Sequence, residues 1–342
     1  MQLYPFFRSL LFKLNPEHAH YLILRLIGLA GNIPPISSLL RWVNSVPSYP
    51  VHVFGLDFPN PVGLAAGYDK DGLAWRGLAC LGFGHIEIGT VTLKSQSGNP
   101  QPRLFRLPEE KALINRMGFP GLGAEAVLKN VIKEKPDGLI LGVNIGKNKD
   151  TRLEAADQDY VHLFQLFAPY VDYLTINISS PNTVGLRRLQ ERESLERLLN
   201  RISSAREHLM PSLTQRVPVL VKISPDLSDA ELDDALDVIT ANHVDGVIAT
   251  NTTLAREGIN SVLARESGGL SGRPLFMKSL AMVSKIFRYT NGSVPVVGVG
   301  GIYDANSAQQ MLDAGAVLIQ IYTGLVYEGP GVVKRILSGL RH

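Results

Sequence analysis

Eight short runs of apolar and β-branched residues recur between residues 61 and 322, and helix-length amphipathic stretches separate them. Continuous apolar strands that alternate with helices are typical of parallel sheets whose two faces are both covered. A count of eight predicts a closed (β/α)8 TIM barrel, whereas an open doubly wound sheet fits that count less well. The predicted strands are 61–67, 85–91, 139–145, 172–178, 217–223, 244–250, 294–300 and 316–322.

The first 44 residues follow another pattern, in which two helix-like stretches are both apolar and basic: YPFFRSLLFKLN and PEHAHYLILRLIGLAGNI. None of their uninterrupted apolar runs reaches the ~18 residues that span a bilayer. NIPP at 32–35 then breaks the helical pattern. We predict a small two-helix extension, residues 1–44, ahead of a barrel domain, residues 45–342. The helices either pack on the barrel or form a patch that lies on a membrane surface, and the sequence favours neither interpretation.

The composition excludes several classes of function. The 342 residues carry a net charge of +3, and no stretch interleaves basic with aromatic side chains, so no nucleic-acid partner is expected. Cys80 is the only cysteine, which leaves no pair for a disulfide within the chain and no set for a cysteine-ligated metal.

Polar side chains gather at the carboxyl ends of the first six predicted strands, where barrels of this kind carry their chemistry. Glycines and a small hydroxyl end the last two strands, in GVGGI (298–302) and YTG (322–324). One polar residue at a strand end is more often a turn former than a ligand contact, but turns alone do not explain the pattern at every strand. We therefore predict a ring of functional residues. Its polar members are Lys70, Thr90, Asn144, Lys147, Asn177, Ser180, Asn182, Lys222, Thr250, Asn251 and Thr252.

The ring contains amides, hydroxyls and lysines, but neither histidine nor paired carboxylates. Ser180 therefore has no histidine partner, which argues against a hydrolase triad, and no metal-binding cluster is expected. Lysines and neutral donors suit a flat, anionic ligand. The two glycine loops offer backbone N–H groups where barrels commonly bind phosphate. Together these features suggest FMN, with the flavin supplying the redox chemistry.

Longer strings in the chain resemble the dihydroorotate dehydrogenase family, in its membrane-associated, quinone-dependent class. They are NPVGLAAGYDKDG, FGHIEIGTVT, PQPRLFRL, INRMGF, NIGKNKDT, INISSPNTVGLR, VKISPDLS, GVIATNTT, GGLSGRPL, VGVGGI and IQIYTGL. The resemblance covers essentially the whole chain. It implies a barrel with one non-covalent FMN that oxidises dihydroorotate to orotate in pyrimidine biosynthesis and passes the electrons to a quinone. It also implies peripheral attachment to the cytoplasmic face of the cell membrane through the N-terminal helices, without an obligatory protein partner.

The same resemblance implies roles for individual residues. Ser180 matches the catalytic base, and the soluble class has cysteine at that place. The substrate positions are Lys70, Asn115, Arg116, Met117, Gly118, Phe119, Asn177, Asn182, Asn251 and Thr252. The FMN positions are Ala66, Gly67, Lys70, Thr90, Asn144, Asn177, Lys222, Thr250, Gly272, Gly301, Tyr322 and Thr323. The quinone positions are His20, Arg106 and Tyr322. Tyr68 departs from the pattern, since a smaller or less polar residue is expected there.

Three alternatives remain beside this prediction. Another FMN barrel dehydrogenase, of the soluble dihydroorotate or dihydropyrimidine type, would share the phosphate loops, but Ser180 and the N-terminal helices favour the quinone class. A phosphosugar isomerase barrel would need a carboxylate or histidine base at a strand end, which the ring lacks. A protein that only binds its ligand would not need Ser180.

Overall fold

The computed structural model describes residues 4–341, so residues 1–3 of the predicted extension and His342 lie outside it. The strands are β1 Val51–Val53, β2 Leu56–Phe58, β3 Val62–Leu64, β4 His85–Val91, β5 Leu104–Leu107, β6 Ala112–Asn115, β7 Ile140–Ile145, β8 Tyr173–Asn177, β9 Val219–Ile223, β10 Gly246–Ala249, β11 Gly269–Gly272, β12 Val296–Val299 and β13 Ala316–Ile321. The α-helices are α1 Tyr4–Leu11, α2 Pro16–Asn32, α3 Pro34–Val43, α4 Trp75–Ala79, α5 Ala124–Val131, α6 Ala156–Phe167, α7 Arg192–Leu209, α8 Asp229–Ala241, α9 Phe276–Tyr289, α10 Ala305–Asp313, α11 Thr323–Glu328 and α12 Val332–Leu337. Short 3-10 helices span Leu153–Ala155, Ala168–Tyr170, Leu186–Gln190, Met210–Ser212, Val262–Arg265 and Arg273–Leu275.

Eight parallel strands close into a barrel, which confirms the predicted fold class. Around the barrel they run β3, β4, β7, β8, β9, β10, β12 and β13, and β13 pairs with β3 to close the ring. Each predicted strand contains one of them. Their residues read as continuous apolar runs because one side of each strand packs inside the barrel and the other packs under the helices. The β1–β2 hairpin closes the amino-terminal end, where Phe58 packs edge-on against His85.

A three-stranded antiparallel sheet, in the order β11-β6-β5, was not predicted from the sequence. Its central strand β6 ends at Asn115, which pairs with Gly269 at the start of β11. The two partners are separated by more than 150 positions in the chain, so no local pattern reveals the pairing. The sheet brings Asn115 and Gly272 to the carboxyl end of the barrel.

The N-terminal extension forms three described helices, so the prediction of two helices was wrong. NIPP does end α2, but α3 begins immediately afterwards at Pro34. Proline is tolerated in the first turn of a helix, where its missing N–H would have no partner, so the same motif both breaks one helix and begins the next.

Close packing and a buried ion pair attach the extension to the barrel. A Cβ on Gly31 of α2 would lie 2.4 Å from the Cα of Gly77 in α4, so the two helix backbones touch through glycine. Glu17 pairs with Arg103 at 2.7 Å, and both side chains are more than nine-tenths buried. One face of the extension therefore belongs to the folded core.

The opposite face of the extension is apolar and exposed to solvent. Its exposed large side chains include Phe6, Phe7, Leu10, Leu22, Leu26, Leu29, Leu39 and Trp42. Arg25 on α2 and Arg41 on α3 are exposed as well, and so is Lys13 in the turn between α1 and α2. Among the described helices, none alone has the length and hydropathy of a membrane span. Pro16–Asn32 and Pro34–Val43 reach that threshold only as a pair, which is bent by 105°.

Candidate active site

One cavity lies at the carboxyl ends of the barrel strands, where the ring of functional residues was predicted. The space between its walls, including the mouth that opens to solvent, is about 990 Å3. The predicted residues that line it are Ala66, Gly67, Lys70, Thr90, Asn115, Met117, Gly118, Phe119, Asn177, Ser180, Asn182, Lys222, Thr250, Asn251, Thr252, Gly272, Gly301, Tyr322 and Thr323. Residues from almost every strand end therefore meet in one place.

A buried carboxylate, Glu87 in β4, organises the floor of this cavity. Its side chain is fully buried inside the barrel. It accepts hydrogen bonds from Asn144 Nδ2 (2.8 Å), Gln320 Nε2 (3.0 Å), Thr175 Oγ1 (3.1 Å) and the Tyr173 hydroxyl (3.1 Å). Because these donors come from three other strands, Glu87 fixes the orientation of several side chains at once.

The amides above Glu87 form a connected chain of hydrogen bonds. Asn144 lies below the cavity wall and accepts from Thr90 Oγ1 at 2.5 Å and from Asn177 Nδ2 at 3.0 Å. Asn177 also donates to Thr90 Oγ1 at 2.8 Å. Asn251 donates to Ser179 Oγ at 3.0 Å. These hydrogen bonds hold Thr90, Asn177 and Asn251 of the predicted ring in place. Asn144 does not line the cavity itself, but it supports residues that line it.

Two lysines bring positive charge to the cavity. Burial lowers the pKa of Lys70 to about 8, and Nζ donates to the Gly67 carbonyl at 2.6 Å. Burial also lowers the pKa of Lys222, and the charge of Glu87 opposes that shift. Within residues 4–341, Nζ of Lys222 has no hydrogen-bond acceptor on the protein, so its donors are free for a ligand.

Ser180 lies in the loop that follows β8, and its side chain is almost fully buried while lining the cavity. Its Oγ accepts from the Asn182 backbone N–H at 3.3 Å, and Asn182 Nδ2 donates to Asn115 Oδ1 at 3.1 Å. Among the described residues, no histidine or carboxylate forms a hydrogen bond with the Ser180 side chain. The small antiparallel sheet thus supports one side of the Ser180 loop.

The glycine loops after β12 and β13 form the other end of the cavity. Gly301 has a φ of +71°, and a Cβ there would lie 2.6 Å from the Cβ of Phe276, so both the backbone conformation and the packing require glycine. The N–H groups of Gly301 and Gly324 donate to no protein acceptor in the described part of the chain. Free backbone donors of this kind suit a phosphate group.

Comparisons with known proteins identify the family to which this site belongs. A family profile described as "Dihydroorotate dehydrogenase" matches residues 49–342. A relative from Idiomarina loihiensis, named dihydroorotate dehydrogenase (quinone), is 47% identical over 338 residues, which cover 99% of this chain and 100% of the relative. A relative of the same name from Flavobacterium lutescens is 48% identical over 341 residues, covering 99% and 96%. A crystal structure of DHODH from Eimeria tenella in complex with ferulenol is 38% identical, with a TM-score of 0.81 over 90% of each chain.

The chain belongs to the dihydroorotate dehydrogenase family. The similarity to the relatives spans the extension as well as the barrel, because the matches cover 99% of the chain. It is therefore an oxidoreductase of dihydroorotate, in a family of flavin-dependent enzymes. The resemblance that its sequence motifs carry is confirmed.

Aromatic rings connect the N-terminal extension to the cavity. The His20 ring packs edge-on against Tyr68 at 5.0 Å, and Tyr68 packs against Tyr322 at 5.5 Å. Burial, followed by the charge of Lys70, lowers the pKa of His20 to about 3, so its ring is neutral. Tyr68, where a smaller or less polar residue was expected from the sequence, is the middle ring of this row.

Arg106 and Arg116 lie away from the cavity. Arg106 packs 4.6 Å above the Phe12 ring and donates to the Leu11 carbonyl at 3.1 Å, so it contacts the chain between α1 and α2. Arg116 pairs with Glu266 at 2.6 Å and lines a separate outer groove. The structure thus groups the predicted quinone residues around the extension but separates Arg116 from the other predicted substrate residues.

Sequence reasoning missed several polar residues at or near the cavity, among them Glu87, Gln320 and Ser271. Glu87 and Gln320 each interrupt an apolar strand, HIEIGTV and AVLIQI, and a polar residue inside a buried strand is a signal that could have been used. Thr183 follows Ser180 in the same loop, and its buried Oγ1 has no protein partner within the described residues.

Proposed function

We propose that this chain oxidises dihydroorotate to orotate with Ser180 as the base and FMN as the hydride acceptor, and that a membrane quinone then takes the electrons. The observation that supports this most directly is the single cavity in which Ser180, Lys222, the asparagines and the glycine loops all meet. A serine without a histidine argues against acyl transfer by a catalytic triad, because the triad uses the histidine to deprotonate the serine.

The residues of the cavity fit FMN. Gln320 Oε1 is buried, lines the cavity and has no protein partner among the described residues, so it can accept a hydrogen bond from a flavin N–H. Lys222 can face the part of the ring system that gains negative charge on reduction. The free N–H groups of Gly301 and Gly324 can hold the phosphate. When bound, FMN supplies the two-electron chemistry that protein side chains lack.

The remaining residues bind and orient dihydroorotate. Lys70 is largely protonated at neutral pH because its lowered pKa is still about 8, so it can bind the substrate carboxylate. Asn115, Asn177, Asn182 and Asn251 offer amides that match the amide edges of a planar pyrimidine. These contacts present the substrate to Ser180 on one side of its ring.

Ser180 takes the proton from C5 while the hydride leaves C6. A serine hydroxyl is a weak base, so Ser180 must give up its own hydroxyl proton as it accepts the proton from C5. Thr183 Oγ1, buried without a protein partner in the described chain, can relay that proton through water.

A quinone can approach the cavity from the N-terminal extension. The row of His20, Tyr68 and Tyr322 connects α2 with the cavity wall, and Arg106 anchors the chain beside it. The exposed apolar and basic face of the extension suits peripheral attachment to the cytoplasmic face of the membrane, where a lipid-soluble quinone resides.

The purified protein should be yellow, release about one FMN per chain on denaturation, and bleach on anaerobic addition of dihydroorotate. The bleached protein should then be reoxidised by a long-tailed quinone. A colourless protein, or one that dihydroorotate does not bleach, contradicts the proposal. Reoxidation by NAD or fumarate with none by quinone would favour the soluble type of enzyme instead.

We expect the triple variant Leu29→Ser, Leu39→Ser and Trp42→Ser to lose membrane binding and quinone turnover while flavin reduction by dihydroorotate stays unchanged. These side chains are 63%, 56% and 74% exposed, so replacing them removes apolar contact with lipid without opening the core. Losing three such contacts should weaken co-sedimentation with anionic liposomes roughly tenfold or more. Stopped-flow measurement of each half-reaction separates the two effects.

The matched control replaces Val262 and Met277 by serine, since both are similarly exposed but lie on the barrel. This control should bind liposomes like the unmodified protein. Deleting residues 1–44 is a poorer test, because it would uncover Gly77 and leave Arg103 without Glu17. Normal liposome binding by the triple variant would show that the exposed face is not the membrane contact.

A further inference from the structure

Arg187 connects three loops at the carboxyl end of the barrel. It lies in the 3-10 helix Leu186–Gln190, directly after the Ser180 loop. Its Nε donates to the Ser179 carbonyl at 3.2 Å, its Nη2 to the Thr252 carbonyl at 3.2 Å and its Nη1 to Asp226 Oδ2 at 3.0 Å. One guanidinium therefore binds the loop of the base, the substrate wall after β10 and the loop after β9.

Asp226 accepts a hydrogen bond from Arg187 and from several other groups. Its Oδ2 also accepts the Leu254 backbone N–H at 2.9 Å, while Oδ1 accepts from Lys278 Nζ at 2.6 Å and from the Thr253 hydroxyl. Burial alone would raise the pKa of Asp226, but the hydrogen bonds from Lys278 and Thr253 keep it below its usual value, so the carboxylate is charged at neutral pH. Asp226 thus binds the chain just beyond Thr252 as well as Arg187.

Ser180 lies between Ser179 and Asn182, two residues that hydrogen bonds hold in place. On one side, Ser179 is held by Arg187 through its carbonyl and by Asn251 through its hydroxyl. On the other side, Asn182 is held by Asn115 through its side chain and by Asn99 through its carbonyl. The backbone on both sides of Ser180 is therefore held in place. Arg187 connects this segment to Thr252, because it donates to the carbonyls of both Ser179 and Thr252.

We propose that Arg187 and Asp226 form a loop clamp that positions Ser180 against the substrate wall at Thr252 during dihydroorotate oxidation. The clamp rests on the proposed function, in which Ser180 is the base. Both clamp residues act through the loops that they hold, so they are positioning residues. A planar guanidinium can hold two carbonyls and a carboxylate in fixed directions, which a lysine ammonium cannot reproduce. A displacement of the base by about 1 Å can slow a reaction by about 100-fold.

Arg187→Ala and Arg187→Lys should both retain FMN and slow the reduction of the flavin by dihydroorotate by about 10- to 100-fold. The dissociation constant of orotate should change much less, because the substrate asparagines remain in place. Guanidinium ion at millimolar concentration should partly restore the rate of Arg187→Ala. The matched control is Arg188→Ala, whose exposed side chain pairs with Glu191 and with no other carboxylate among residues 4–341; this variant should react at the normal rate.

A double-mutant cycle with Ser180→Ala separates positioning of the base from general support. If the clamp acts through Ser180, adding Arg187→Ala to Ser180→Ala should slow flavin reduction further by less than about threefold, and guanidinium should give no rescue. Additive losses would overturn the proposal. Loss of flavin or of folding in both Arg187→Lys and Asp226→Asn would also overturn the proposal, because these residues would then support the fold in general. If Arg188→Ala and the unmodified protein also fail to be reduced, the proposed function fails instead of the clamp.

Discussion

Ser180→Ala is expected to slow the reduction of the bound flavin by dihydroorotate by about 10²- to 10⁴-fold, the range for loss of a general base. The change removes one oxygen and the hydrogen bond that it accepts from the Asn182 N–H. Asn99 still holds the Asn182 carbonyl and Arg187 still holds the Ser179 carbonyl, so the cavity keeps its shape. The flavin spectrum and orotate binding should therefore survive. Anaerobic stopped-flow with dihydroorotate measures the rate, and titration with orotate measures binding.

Ser180→Cys is the informative companion to the alanine variant. A thiol ionises more readily than a hydroxyl, so this variant should retain part of the rate and show a shifted pH profile. The matched control is Ser271→Ala, which removes another hydroxyl from the cavity wall outside the proposed base loop. Reduction of the Ser180→Ala enzyme at a nearly normal rate would show that another group is the base.

Glu87→Ala is expected to cause a large loss of stability, because four buried donors depend on this one side chain. The carboxylate is fully buried and accepts from Asn144, Gln320, Thr175 and Tyr173, and its charge also acts on Lys222. Removing it leaves those donors buried without an acceptor, so the free energy of unfolding should fall by about 3–5 kcal/mol. Urea denaturation followed by circular dichroism measures this loss.

The flavin should also bind more weakly to the Glu87→Ala protein, because Gln320 loses the hydrogen bond that orients it and Lys222 loses the nearby negative charge of Glu87. Glu196→Ala is the control, since Glu196 is an exposed glutamate on α7. It should unfold within about 0.5 kcal/mol of the unmodified protein. A Glu87→Ala protein with normal stability and full flavin content would mean that Glu87 does not organise the floor.

The sequence determined the barrel and most of the cavity lining. Each strand is an apolar run of a few residues, and its pattern depends only on neighbours within that run, so local reading found all eight. The parallel fold then places every strand's carboxyl end at the same rim, which is why polar residues such as Thr90, Ser180 and Lys222 could be grouped from the sequence alone.

Only the tertiary structure decided which side chains support the ring. Glu87 bonds to residues 57 and 233 positions away, β6 pairs with a strand far along the chain, and Arg116 turns outward to Glu266. Hydrogen bonds and ion pairs of this kind depend on the distance between atoms in space, which the period of an apolar pattern does not encode. The N-terminal extension shows the same contrast between what the sequence determines and what the tertiary structure decides. Its apolar and basic composition could be read directly, but only the packing of Gly31 on Gly77 separates the face bound to the barrel from the face exposed to solvent.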